Sequence, residues 1–96
     1  MIQAEYEQLL EIAAKFMTQS DDVMQMNRML RMRYDELITE GWAGDGANAF
    51  AREMEDIVFP ALRRLAEALE ETSGKTKQIV SIFESAETEA SSQFSA

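Results

Sequence analysis

Apolar residues recur along this 96-residue chain in alternating steps of three and four, and this spacing constrains the fold more than any other feature. In the first half the pattern covers ten positions, of which eight are apolar or aromatic: Tyr6, Leu9, Ala13, Phe16, Ser20, Val23, Asn27, Leu30, Tyr34 and Leu37. Steps that average 3.5 residues keep these positions on one face of a long helix that winds around a partner helix. The spacing therefore predicts a first helix over residues 4–39.

The second half repeats the pattern at Ala51, Val58, Leu62, Leu65, Leu69, Thr72, Thr76, Ile79, Phe83, Ala86 and Ala90. This predicts a second helix over residues 45–88, followed by a flexible tail over 90–96. Pro60 lacks an amide proton and is expected to bend this helix mildly. Gly74 weakens a helix, and the spacing leaves open whether it breaks this one. Two long helices predict an all-α fold: a hairpin of antiparallel helices, in a single domain over 1–96.

The predicted turn, residues 40–45, lies at the start of the stretch GWAGDGANAF, which holds the only tryptophan and three of the four glycines. Gly41 can adopt the left-handed conformation that commonly ends a helix. Trp42 would then pack back on the first helix, and Phe50 would meet it from the second. These residues predict a buried tryptophan that closes the hairpin.

The start of the second helix depends on three further residues of this stretch. Gly44 permits a second unusual backbone angle, and Asp45 can accept backbone amide protons at the helix start. Ala47 is small, as expected of a residue that faces a tight turn. Together they predict a short connection between the two helices.

The composition excludes several kinds of chemistry. The chain has no cysteine and no histidine, which removes thiol chemistry, the commonest general base and the commonest transition-metal ligand. A net charge of −9 is the wrong sign for binding nucleic acid. Carboxylates cluster at Asp21 and Asp22 and again at Glu53, Glu55 and Asp56, but solvated helix faces explain such clusters more simply than acid–base or metal chemistry. We predict a protein that is not an enzyme, with no catalytic, cofactor-binding or metal-binding residues.

Membrane insertion and a cleaved leader are not expected either. The apolar runs are only a few residues long, and the N-terminal MIQAEYEQLLE carries acids where a signal peptide needs lysine and a long apolar core. Helices that lie on membranes usually present lysine and arginine to the lipid, so the acidic charge disfavours that role as well. The expected protein is made in the cytoplasm without a cleaved signal peptide.

A second apolar row lies one position further along the first helix and predicts an interface with another chain. Its residues are Leu10, Met17, Met24 and Ile38, with Arg31 between the last two. A single partner helix cannot cover both rows, and long exposed apolar strips mark interaction surfaces. We expect these four apolar residues to form a dimer interface in a four-helix bundle.

At the turn, the sequence resembles the WXG-motif proteins, the early-secreted-antigen-like substrates of bacterial type VII (ESX) secretion. Trp42, Ala43 and Gly44 stand as the W-x-G, and Ala47 and Phe50 match the small and aromatic positions that commonly follow. The resemblance extends over essentially the whole chain and includes a proline inside the second helix. It implies a virulence-associated, leaderless secreted protein that pairs with itself or with a sister protein, as a homodimer or a heterodimer.

The resemblance also implies further partners and an export signal. The partners would be the membrane-bound FtsK/SpoIIIE-type ATPase of the secretion system and a larger secreted effector. Members of the family often carry a tyrosine followed four residues later by an acid; Phe83 and Glu87 are the closest match, with phenylalanine in place of tyrosine. Two alternatives remain open: these two residues are ordinary helix positions, and the protein is a cytosolic helical adaptor or export chaperone that is not itself secreted.

Overall fold

The computed structural model describes residues 3–94, which form a long helical hairpin with no strand in that range. Its elements are α1 (Gln3–Thr39), α2 (Asp45–Glu53), a π-helical segment (Met54–Val58) and α3 (Phe59–Phe94). The last three follow one another without a break and form a second arm that runs antiparallel to α1. The hairpin measures 77 × 18 × 13 Å. This architecture confirms the predicted all-α hairpin.

The second arm extends further than the spacing predicts. It continues to Phe94 instead of ending near residue 88, so residues 90–94 of the predicted flexible tail are helical; residues 95 and 96 lie outside the described range. The last ten described residues contain neither glycine nor proline, and their alanines and glutamates favour a helix. The arm also passes through Gly74 without interruption.

The two arms meet along an inner row of buried residues that are mostly small. This inner row consists of Tyr6, Ala13 and Ser20 in α1 and Phe59, Ala66, Ser73 and Val80 in α3. Ser20 donates a hydrogen bond to the Ala66 carbonyl at 2.6 Å, and Ser73 donates one to the Ala13 carbonyl at 2.7 Å. Small side chains let the two backbones approach closely, and the two hydroxyls find partners inside the contact. These reciprocal bonds also set the register of the arms.

The inner row corrects the interpretation of the second helix. The sequence pattern placed Leu65 and Ile79 against the first helix, but their exposed fractions are 47% and 48%. The adjacent residues Ala66 and Val80 are buried there instead, with exposed fractions of 1% and 2%. A hydrophobicity pattern follows the large side chains, whereas the close contact between the arms selects small ones.

The π-helical segment shifts the phase of the second arm just before Pro60. Ala47 and Met54 are buried seven residues apart, yet the next buried residue, Phe59, comes only five later. The Phe59 amide donates to the Met54 carbonyl, five residues back, so one extra residue fits into this turn. A wider turn costs little at this place because proline would break the α-helical bonding in any case. Because of this shift, the apolar residues before and after Pro60 both face α1. The sequence pattern had instead continued one apolar spacing through the whole second helix.

Candidate functional site

The turn between the arms depends on two glycines with positive φ angles. Gly41 has a φ of 89° and Gly44 a φ of 112°, conformations that residues with a Cβ rarely adopt. The Gly41 amide donates to the Ile38 carbonyl at 3.2 Å, which closes the end of α1. Gly44, and not Asp45, is the N-cap of α2, and no side chain caps this helix. Asp45 is the first helical residue, where its negative charge suits the helix dipole.

Trp42 lies at the tip of the hairpin and is only partly covered. Its ring centroid is 5.3 Å from that of Phe50, and 41% of its surface is exposed, whereas the turn residues predict a buried side chain. Phe50 is in turn 6.2 Å from Tyr34, and Ala47 beneath the turn is 3% exposed. The single hairpin is too thin to cover an indole on both faces. The W-x-G segment is therefore a fixed turn with an accessible aromatic face.

Arg31 holds the next layer of the hairpin together. Its guanidinium carbon lies 4.2 Å from the centroid of the Phe59 ring, and its two terminal nitrogens donate to the Glu55 carboxylate at 3.2 and 3.4 Å. The opposite face of the layer is closed by Tyr34, edge-on to Phe59 at 5.4 Å. Arg31 thus interrupts the second apolar row because it packs on the other arm.

Residues on either side of the inner row form two different flanks of the hairpin. Successive side chains of an α-helix are rotated by roughly 100° about the helix axis. Residues 77 and 84 therefore lie on one side of Val80, and Ile79 lies on the other. Leu10 shares a surface groove with Lys77 and Glu84. On the opposite side, Leu30 and Arg33 share a groove with Phe50. The two flanks are therefore distinct surfaces.

The mixed flank combines apolar residues of α1 with charged residues of the second arm. Its α1 residues are Leu10, Met17, Met24, Arg31 and Ile38. Its second-arm residues are Glu55, Arg63, Glu70, Lys77 and Glu84. The four apolar residues predicted as a dimer interface all lie on this flank, with exposed fractions of 38–40%.

The broad flank carries large apolar side chains from both arms. In its outer part they are Ile12, Met26, Leu65, Ile79 and Phe83, with exposed fractions of 44–48%. The half-buried residues Leu9, Phe16, Val23, Leu62 and Leu69 connect this outer part to the inner row. The sequence pattern contained these residues but could not separate those that face α1 from those that face outward.

Phe83 and Glu87 lie near the open end of the hairpin, next to the start of α1. Phe83 is 46% exposed. Tyr6 is 3% exposed, and its hydroxyl has no partner that meets hydrogen-bond geometry. The Glu87 carboxylate nevertheless affects the ionisation of this hydroxyl. Burial first, and then this carboxylate, raise the pKa of Tyr6 to about 12. The Tyr6 hydroxyl of the other arm therefore lies near the Glu87 carboxylate.

The predicted carboxylate clusters lie within residues 3–94, the range that the structure describes. No group of three or more carboxylates in this range could hold a metal ion, and of the predicted clusters only Glu55 pairs with a residue of α1. Among the same residues, no helix has a stretch long and apolar enough to span a bilayer.

Comparison with known proteins gives a match to a family model. The model of the WXG100 family, described as proteins of 100 residues with WXG, matches residues 1–88. No curated protein and no solved structure matches the chain. The matched range contains both arms and the turn.

Proposed function

Because the chain belongs to the WXG100 family, the family of type VII secretion substrates, we propose that it is exported by a type VII system as a pair of hairpins. One partner is a second copy or a sister protein of the family. The exported pair also serves as the export partner of a larger effector, and the membrane-bound ATPase of the system recognises it. The protein leaves the cell without a cleaved signal peptide.

The observation that supports pairing is the surface area of the single hairpin. It exposes 7161 Å², whereas a compact monomer of 10.9 kDa exposes about 5,600 Å². The radius of gyration is 21.8 Å, against about 12.5 Å for a compact chain of this length. The excess of about 1,600 Å² per chain is typical of obligate dimers, since standard interfaces bury only about 800 Å² per partner. A second hairpin would remove this excess.

Two accessible places on the hairpin could be recognised during export. Trp42 presents an exposed aromatic face at the tip, and Phe83 with Glu87 lies at the opposite end. We propose that Phe83 and Glu87 act as the export signal, with the buried Tyr6 hydroxyl of the other arm near the Glu87 carboxylate.

Export is tested with a tagged chain in a bacterium that has an active type VII system, with and without its ATPase. The expected result is tagged protein in the culture fluid only when the ATPase is intact, while a cytosolic marker stays in the cells. Glu87→Gln should reduce export, and Glu89→Gln is the matched control, since both are exposed glutamates of the same helix. Retention of the unaltered chain in both strains, together with a stable complex with an exported protein, would favour the non-secreted chaperone instead.

A further inference from the structure

The mixed flank is a poor surface for a second hairpin. Its five second-arm positions are all ionisable, and a partner would have to desolvate each of them. Lys77 and Glu84 border Leu10, so charges surround even the apolar residues of α1. Arg31, the fourth of the five residues in the α1 row, already binds Phe59 and Glu55.

The broad flank has the opposite character. Both arms contribute large apolar side chains there, and none of Ile12, Met26, Leu65 and Ile79 is less than 44% exposed in the single hairpin. Burying such side chains is the main favourable term in forming a dimer. This flank therefore contains the excess apolar surface that a partner must cover.

The outermost row of α1 on the broad flank is also complementary to a second copy of the same row that runs in the opposite direction. The row is Glu5, Ile12, Gln19, Met26 and Arg33, at seven-residue intervals. In two antiparallel copies centred on Gln19, Glu5 meets Arg33 of the partner subunit, and Ile12 meets Met26 of the partner subunit. An interface with a two-fold axis requires this self-complementarity. Reversal of the α1 row on the mixed flank would instead place Met17 against Arg31.

From these observations we infer that a second copy of this chain binds on the broad flank, antiparallel to the first, with the two-fold axis near Gln19. The inference rests on the proposed pairing and adds which surface is used. Leu10, Met17, Met24 and Ile38 then remain on the outside of the four-helix bundle. The surface predicted from the second apolar row is free for another partner.

Two methionines of α1 provide a matched test. Met26 lies on the broad flank and Met24 on the mixed flank, with exposed fractions of 48% and 38%. Met26→Asp should raise the dissociation constant of the dimer about a hundredfold, because each dimer receives two buried charges. Met24→Asp should leave it unchanged. Sedimentation equilibrium over a range of protein concentrations measures both.

The outcomes separate the inference from the proposed self-pairing. A monomer mass for the unaltered chain would overturn self-pairing itself. A dimer that Met24→Asp disrupts and Met26→Asp does not would overturn only the choice of flank. Single-cysteine variants give a second measurement that does not depend on tolerance of a charge, because the chain contains no cysteine. A short bis-maleimide should link Gln19→Cys into covalent dimers and leave Met17→Cys monomeric; the reverse pattern contradicts the inference.

Discussion

Replacing Ala13 by leucine tests the close contact between the two arms. Ala13 has no exposed surface, and its carbonyl accepts the Ser73 hydroxyl at 2.7 Å. Three added carbons cannot fit unless α3 moves away. Overpacking of this kind costs about 1–3 kcal/mol, and loss of the buried hydrogen bond adds about 1 kcal/mol. We expect Ala13→Leu to destabilise the protein by about 2–4 kcal/mol in total.

The assay is thermal unfolding followed by circular dichroism, at one fixed protein concentration because pairing contributes to stability. For a chain of this size, the expected loss lowers the melting temperature by roughly 10–25 °C. Ala14→Leu is the control: the same substitution one residue later, at an exposed position, should change stability by less than about 0.5 kcal/mol. Ser73→Ala separates the cost of overpacking from the cost of the lost hydrogen bond, because it removes the hydrogen bond but adds no volume. It should cost about 1 kcal/mol.

Two results would refute this reasoning. If Ala13→Leu melted together with Ala14→Leu, the arms would not be in close contact at this layer. If Ala13→Leu cost no more than Ser73→Ala, the contact would tolerate large side chains, and the small residues of the inner row would not determine the distance between the arms.

Three further predictions concern the turn, the open end and the middle of α3. Trp42→Ala should cost about 2 kcal/mol in chemical denaturation, less than the 3–5 kcal/mol of a fully buried aromatic residue, since 41% of Trp42 is exposed; normal stability with lost export would assign it to recognition alone. The pKa of Tyr6 is raised from 10.0 to about 12, so its contribution to stability is complete below pH 10 and is lost as the pH rises towards 12. Melting temperatures across this range should fall less steeply for Tyr6→Phe, and the remaining slope belongs partly to Tyr34, whose pKa is also raised. Gly74→Ala should stabilise α3 by about 0.5–1 kcal/mol, because nothing lies within 4 Å of the added Cβ, whereas Gly44→Ala should destabilise the protein, because its φ is 112°; equal effects of the two would contradict the assigned turn.

The amino-acid sequence by itself determined the helices, the position of the turn and the face of α1 that meets the other arm. These features depend on interactions within a few residues: heptad spacing and glycines that can take positive φ. The W-x-G at Trp42 and Gly44 also belongs to this level, because it lies where one helix must end and the other begin.

Only the tertiary structure decided which face of α3 meets α1. Ala66 and Ser73 carry almost no hydrophobic signal, and they are buried because close contact between antiparallel backbones requires small side chains. The phase shift before Pro60 is also visible only in the folded hairpin, where Met54 and Phe59 are both buried although they are five residues apart. The division into a broad and a mixed flank likewise depends on which residues of one arm lie beside those of the other. Leu10 and Lys77 are 67 residues apart in the sequence and share a groove only because the chain folds back on itself.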